Sequence, residues 1–358
     1  MKKILIISKE QFGYHTDIYK WCEFLKDSYE IHVITFNSKK KKIQLEGVKV
    51  HYVPSFGSRT IRGAFYIFYC ISKLIFFHGI IIICYFKEAW ILKKIFPSKK
   101  MVLDIRTLDI SKEKAKREHE DNIIKKTAKL FDYVTVISDG IRQKINLSNN
   151  KSSILPLGGD LVLQRPKSFD ILKLLYVGTF NNRDIDKTIK GIAILKKNRP
   201  EIKITYDIIG DGNNGELNKY KELVVNLGLD KNIHLHGYKA HNELKVFLDK
   251  CNIGVSFIPM TDYYEYQPAT KSFEYILSGL FTIATSTYCN KEIITETNGI
   301  LIQDTPEDFA EGLTKIYEMR NNIKYELIQN SLLRFQWNTI INDIMKPILL
   351  KIEKLFNI

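Results

Sequence analysis

The 358-residue sequence has five cysteines, and no two of them are placed to cooperate. They stand at 22, 70, 84, 251 and 289, an odd number without a CxxC pair, which excludes a disulfide framework and a zinc cluster and fits a reducing compartment. No clean run of about 18 apolar residues occurs; the most apolar stretch, residues 64–86, is interrupted by Lys73 and by the pair His78-Gly79. The basic and then apolar start MKKILIIS gives out at Ser8-Lys9-Glu10, too short for a signal-peptide core, and predicts a first buried strand. No helix-turn-helix, zinc or RNA-sheet motif accompanies the positive charge, so nucleic acid is not expected as a partner. No group of His, Asp and Glu has metal-ligand spacing either, so neither a catalytic metal nor another cofactor is expected.

What is present points to a cytoplasmic protein with a large core. Hydrophobic residues make up 45% and charged residues 26%, the balance of a globular chain, and the length suits two α/β domains better than one. The net charge of +14 is uneven: residues 1–150 hold 28 Lys and Arg against 15 Asp and Glu, the remainder 26 against 25. A basic half suits phosphate-bearing substrates or an anionic membrane surface, or is simply a solvated basic face.

Short Ile- and Val-rich runs alternate with stretches of helical period. In the first half the runs are KILIIS, IHVITF, GIIIICYF, KMVLDI, YVTVIS and SSILPL; in the second, KLLYVGTF, KITYDIIGDG, NIHLHGY, NIGVSFIP, FTIATS and GILIQ. Such alternation predicts βαβ units and parallel sheets covered on both faces. The Pro-bearing LVLQRPKSFD between the series reads as a linker, and FQWNTIINDIMKPILLKIEKLFNI as a closing helix with Pro347 as a kink. The predicted organisation is therefore residues 1–160, residues 161–336, and a closing helix over 337–358 that returns to the first domain. Within residues 64–86 we read a helix to about Phe77 and then a buried strand. That helix, apolar nearly all round and near Arg59, Arg62, Lys87, Lys93, Lys94, Lys99 and Lys100, is either wholly buried or rests on something apolar such as a bilayer interface.

Three segments carry chemistry. YVGTFNNRDIDKTI ends a strand in Gly178 and leads through a short loop with Arg183 into a helix; glycine there admits a phosphate to backbone N–H groups, and the helix start adds a positive dipole end. YDIIGDG ends another strand in Gly210-Asp211-Gly212, a turn that opens on the same sheet edge. NIGVSFIPMTDYYEYQPATKSFEYILSGLFTIATS is the most specific. It sets Pro268 at a helix beginning, Lys271 and Glu274 three apart on one face near that beginning, and Gly279 at the end. A lysine in the first turn of a helix suits a diphosphate, and a carboxylate one turn on can accept hydrogen bonds from ribose hydroxyls.

The segment TKSFEYILSGLFTIATS resembles the donor-binding helix of the retaining GT-B glycosyltransferases, in particular glycosyltransferase family 4 with its bacterial capsule and surface-polysaccharide members. YVGTFNNRDIDKTIKGI is similar to the opening of that family's second domain, YDIIGDG to its following strand and NIHLHGYKAHNEL, with Tyr238, to its base-contacting loop. FDYVTVISDGIRQKI and ILPLGGD resemble the end of its first domain. The resemblance implies two facing Rossmann-like domains and transfer with retention from a nucleotide-sugar donor, expected to carry UDP or GDP, to a glycan acceptor. The uneven charge, together with the apolar residues 65–77, adds the expectation of a lipid-diphosphate-linked acceptor and of attachment to the inner face of the plasma membrane.

Carried over to single residues, the resemblance gives Glu274 the ribose and Gly178 and Arg183 the diphosphate. Where relatives often carry arginine after that glycine, this chain has Thr179, so the diphosphate falls to Arg183 and Lys271; Thr179, Gly210, Asp211, Tyr238, Pro268 and Thr270 would complete the donor site. The first glutamate of the family's paired motif should stand at position 266, which is Tyr266, with Glu265 beside it. In the first domain FGYHTD supplies Gly13 and His15 near the transferred sugar, His15 serving either catalysis or helix capping. Where relatives have histidine after the strand matching KMVLDIRTLD, Arg106 stands between Asp104 and Asp109 on the acceptor side. A non-catalytic nucleotide-sugar binder, a GT-B-type epimerase and a phosphorylase are the alternative readings.

Overall fold

The computed structural model describes residues 1–161, 166–213, 215–240 and 243–357; four of the ten residues of the expected linker, 162–165, lie outside the described residues. The chain separates into two compact units, Met1–Leu157 together with the chain from Trp337 on, and Gly158–Gln336.

The first unit is built on a seven-stranded sheet of order β3-β2-β1-β4-β5-β6-β7, all neighbours parallel. Its strands are β1 Lys2–Ile7, β2 Tyr29–Phe36, β3 Val48–Val53, β4 Ile80–Cys84, β5 Val102–Ile105, β6 Tyr133–Val136 and β7 Ser152–Ile154. Its helices are α1 Thr16–Leu25, α2 Arg59–Phe76, α3 Ala89–Ile95, α4 Lys114–Leu130 and α5 Asp139–Lys144. β4, β5 and β6 are buried at every position, as expected of central strands covered on both faces, which is why their sequences are continuous apolar runs. β3 is absent from the strands expected from sequence: VKVHYV alternates with Lys49 and His51 because it is a half-exposed edge.

The second unit has a six-stranded sheet of order β10-β9-β8-β11-β12-β13, again parallel throughout. The strands are β8 Leu172–Val177, β9 Ile204–Ile209, β10 Ile233–Gly237, β11 Ile253–Ser256, β12 Phe281–Thr285 and β13 Gly299–Ile302. Helices α6 Ile185–Asn198, α7 Glu216–Asn226, α8 Leu244–Lys250, α9 Thr270–Leu277, α10 Tyr288–Lys291, α11 Pro306–Glu318 and α12 Tyr325–Ser331 connect and cover them. The two series of alternating elements are thus the α/β, twice-repeated plan expected from sequence.

From Trp337 the chain packs with the first unit. It is not one helix. A turn at Trp337–Thr339 (α13) widens into a π-helical stretch, Ile340–Met345, before α14 resumes at Lys346–Phe356. Pro347 lacks an N–H and its ring crowds the carbonyl four residues back, so the preceding turn adopts looser bonding. Glu353 of α14 accepts from Lys2 Nζ at 2.8 Å and from the Tyr29 hydroxyl at 3.2 Å, tying α14 to β1 and β2.

α2 is not wholly buried: Tyr66, Ile67, Cys70 and Leu74 enter the core while Phe68 and Phe76 are 67% and 82% exposed. One expectation about the basic face is corrected. Lys93 is buried, its Nζ donating to Asp132 at 2.7 Å and to the carbonyls of Pro97 and Lys99 at 3.0 and 2.8 Å. It therefore contributes no surface charge.

Candidate functional site

In the second unit the chain runs outward from β8 to β9 and β10 on one side and from β11 to β12 and β13 on the other, so strand order reverses between β8 and β11. The crevice beyond the carboxyl ends of the two strands flanking such a reversal is where open parallel sheets bind ligands. The segment leaving β8 carries Gly178 and Arg183, and the segment leaving β11 leads to α9 with Lys271 and Glu274. The residues drawn from separate motifs therefore meet at one sheet edge.

The edge is held open by backbone. The Gly178 N–H donates to the Ile209 carbonyl at 3.0 Å and the Gly210 N–H to the Gly237 carbonyl at 2.9 Å, stepping the three strand ends together. Gly210 has φ +146°, and a Cβ there would strike the carbonyl oxygen of Gly178, so no other residue fits. Beyond β8, Asn182 and Asp184 both adopt left-handed φ, 54° and 49°, on either side of Arg183. Non-glycine residues held this way store strain, and here the strain aims one side chain.

Arg183 lies with its guanidinium carbon 4.2 Å from the centroid of the Tyr264 ring, and its Nη1 is buried without a hydrogen-bond partner. Lys271 Nζ sits 3.9 Å over the Tyr176 ring, which faces Gly178. Among the described residues no carboxylate pairs with either cation. Burial first, and the Arg183 charge second, hold the Lys271 amine well below its usual range. Two neighbouring cations without a carboxylate partner among the described residues describe a site built for an anion.

α9 begins at Thr270, two residues after Pro268 rather than at it, and its N-cap Ala269 offers no side chain to the first-turn N–H groups. The helices that follow β8 and β9 are likewise without a side-chain cap, whereas α10 and α11, elsewhere in the sheet, are capped by Thr287 and Thr305. Uncapped helix starts leave donors for a ligand. α9 is moored from below. The Tyr275 hydroxyl accepts the Val177 N–H at 2.7 Å, Ser272 and Ser256 hydroxyls meet at 2.7 Å, and a Cβ on Gly254 would collide with the Tyr275 ring. A Schellman motif closes the helix, with Gly279 N–H on Ile276 and Leu280 N–H on Tyr275.

Glu274, one turn beyond Lys271, has no ion-pair partner among the described residues, and burial, with Asp160 adding to it, raises its carboxyl to about 7. Glu265 is otherwise engaged: its carboxylate accepts the Tyr288 N–H at 2.8 Å, while Tyr266 packs on Tyr288 with ring centroids 5.3 Å apart. Asp211 is exposed and accepts from the Gly212 N–H at 2.7 Å; Thr179 is exposed, its carbonyl accepting from the Tyr176 hydroxyl at 2.8 Å; Tyr238 is 77% exposed. Tyr176 and Tyr275 were missed in the sequence, where a tyrosine inside an aliphatic run signals only core.

In the first unit the strand order reverses between β1 and β4, and the loop leaving β1 carries Gly13 and His15. His15 is the N-cap residue of α1 but makes no side-chain cap bond, and its Nδ1 is buried without a partner. Asp104 and Arg106, expected on the acceptor side, lie in the interior. Asp104 is fully buried, accepting from the Thr135 hydroxyl at 2.7 Å; burial raises its carboxyl, with Arg106 opposing. Arg106 pairs with Asp17 of α1 and donates to the carbonyl of Leu155 at 2.6 Å, so it ties β5 to the start of α1. Among the described residues no group of three His, Cys, Asp or Glu is gathered as metal ligands would be.

Residues 166–331 match the family described as Glycosyl transferases group 1. No curated protein matches the chain. Three similar solved structures each cover at least 97% of it. Anabaena Alr3699/HepE in complex with UDP has a TM-score of 0.75 at 13% identity, with 97% of this chain and 99% of that one covered. Sucrose-phosphate synthase from Thermosynechococcus elongatus has 0.76 at 15%, covering 100% and 98%. The lipopolysaccharide outer core galactosyltransferase WaaB, in its apo form, has 0.72 at 18%, covering 98% and 99%. At such identities the likeness establishes the fold. That fold is GT-B, residues 166–331 form a glycosyl transferases group 1 domain, and by that domain the chain is a glycosyltransferase.

Proposed function

We propose that the chain moves a sugar from a UDP- or GDP-linked donor to a glycan or lipid-linked acceptor with retention of configuration, as a family 4 enzyme of surface-polysaccharide synthesis. The observation that carries this reading is the pair of cations, Arg183 and Lys271, without carboxylate partners among the described residues, beside the uncapped start of α9 at the switch point. HepE, solved with UDP and with UDP-glucose, supports a donor of this class.

In this reading the diphosphate lies on Arg183, Lys271 and the first-turn N–H groups of α9, and the ribose hydroxyls donate to Glu274. The bond from the anomeric carbon to the diphosphate oxygen breaks as the acceptor oxygen bonds to that carbon. Retention brings the acceptor to the face the diphosphate leaves, so the departing oxygen is within reach of the acceptor's proton. No side chain of unusual reactivity is needed; stabilising the charge that grows on the diphosphate supplies the main rate term. Gly13 and His15 are assigned to the transferred sugar. Glu265, committed to the Tyr288 backbone, acts by holding the loop before α9.

The test is the anomeric configuration of the product, followed by NMR with purified protein, donor and acceptor. Retention in excess EDTA is expected; inversion, or activity lost to chelation and restored by magnesium or manganese, would overturn the mechanism.

A further inference from the structure

The first unit carries a second chemical feature at the amino-terminal edge of its sheet, away from the strand ends that bear Gly13 and His15. A cavity of about 500 Å³ is lined there by residues that include Lys2, Lys3, His78, Lys99 and Lys100. A second, of about 320 Å³, shares Lys3, Phe77 and His78 with it and runs beneath the last turn of α2, where Lys73 and Phe76 close it. Neither is lined by a carboxylate among the described residues. Lys99 Nζ donates to the Phe77 carbonyl at 2.9 Å and Lys73 Nζ lies 5.5 Å from the Tyr69 ring, so both keep their charge uncompensated.

These cavities continue into an exposed apolar stripe. Ile61, Phe65, Phe68, Ile75 and Phe76 recur at helical spacing on the outer face of α2, and four of them are at least half exposed: Ile61 53%, Phe68 67%, Ile75 50% and Phe76 82%. No Asp or Glu occurs anywhere between Glu46 and Glu88. Lys2, Lys3 and Lys100 pair with Glu353, Glu30 and Asp132, but Lys73 and Lys99 have no carboxylate partner among the described residues; an apolar stripe flanked by these two cations repels a second copy of the same surface and matches an anionic bilayer interface. No described helix is long and apolar enough to cross a membrane.

We propose that this face docks on an anionic phospholipid surface, with Phe68, Ile75 and Phe76 among the headgroups and Lys73 and Lys99 meeting lipid phosphates at the cavity rim. The inference does not depend on the donor assignment, since its test measures no turnover. The whole chain is sedimented with vesicles of phosphatidylcholine alone or mixed with phosphatidylglycerol, at low and high salt. Wild type should bind only the anionic vesicles and be released by salt. Phe68→Ser with Phe76→Ser should weaken binding about tenfold, and Lys73→Gln with Lys99→Gln about fivefold per lysine. The serine substitutions fall on exposed side chains, so their melting temperature should match wild type. Wild type left in the supernatant with anionic vesicles at low salt, or serine variants that sediment like wild type, would overturn the proposal. So would light scattering that shows a dimer broken by the serine substitutions, which would make a second copy the occupant.

Discussion

Glu274 and Lys271 each bear a charge in a place that disfavours it, and the consequences have opposite signs on stability and function. Burial raises the Glu274 carboxyl to about 7 from 4.5, so the fold binds its proton more tightly than the unfolded chain does and loses stability as pH rises from about 4.5 through 7. Ribose hydroxyls need the ionised carboxylate. Donor affinity should therefore climb as pH rises to about 7 and level off above it, and Glu274→Gln should bind weakly with no such slope in calorimetric titrations. At pH 8 the same variant, free of ligand, should melt about 2–4 °C higher than wild type. Lys271→Met should also melt higher while lowering turnover about 100-fold, the loss typical of a deleted transition-state donor. A drop in melting temperature for both would make them structural. The Lys271 and Glu274 pairing was legible in the sequence because helical spacing is local. Asp17 beneath Arg106 was not, since nothing local in either segment marks a bond between the start of α1 and the end of β5.

At the scale of elements, the donor-side geometry depends on α9 being seated on the sheet. Tyr275→Phe leaves the Val177 N–H without its acceptor, a cost of about 1–3 kcal/mol for a buried group, and frees the end of β8 next to Gly178. Denaturant unfolding should show that loss with kcat reduced more than KM is raised; unchanged kinetics would detach the mooring from the site. Gly210→Ala, by collision with the Gly178 carbonyl, should part β8 from β9 and abolish donor binding. The central strands could be read from sequence because burial on both faces writes them as unbroken apolar runs. Edge strand β3 and the π-helical stretch before Pro347 could not, one because exposure gives it polar alternation and the other because the residues of a widened turn differ in no way from those of an α-helix.

For the whole molecule, the asymmetry of charge separates two tasks. The half of the chain without net excess carries the paired motif and the family match at residues 166–331, and the basic half carries the exposed face of α2. Sequence placed both features but could not show that Lys93 and Arg106 spend their charge inside the fold, because burial of a long side chain depends on partners distant in sequence. The central claim is that Arg183 and Lys271 form a diphosphate site. Its most direct test is calorimetric titration of UDP and of GDP into wild type and into Arg183→Met with Lys271→Met. One nucleotide should bind wild type, and the double variant, folded and melting no lower, should lose at least about 100-fold in affinity. Equal affinity of the two proteins, or no binding of either nucleotide to wild type, would contradict the account.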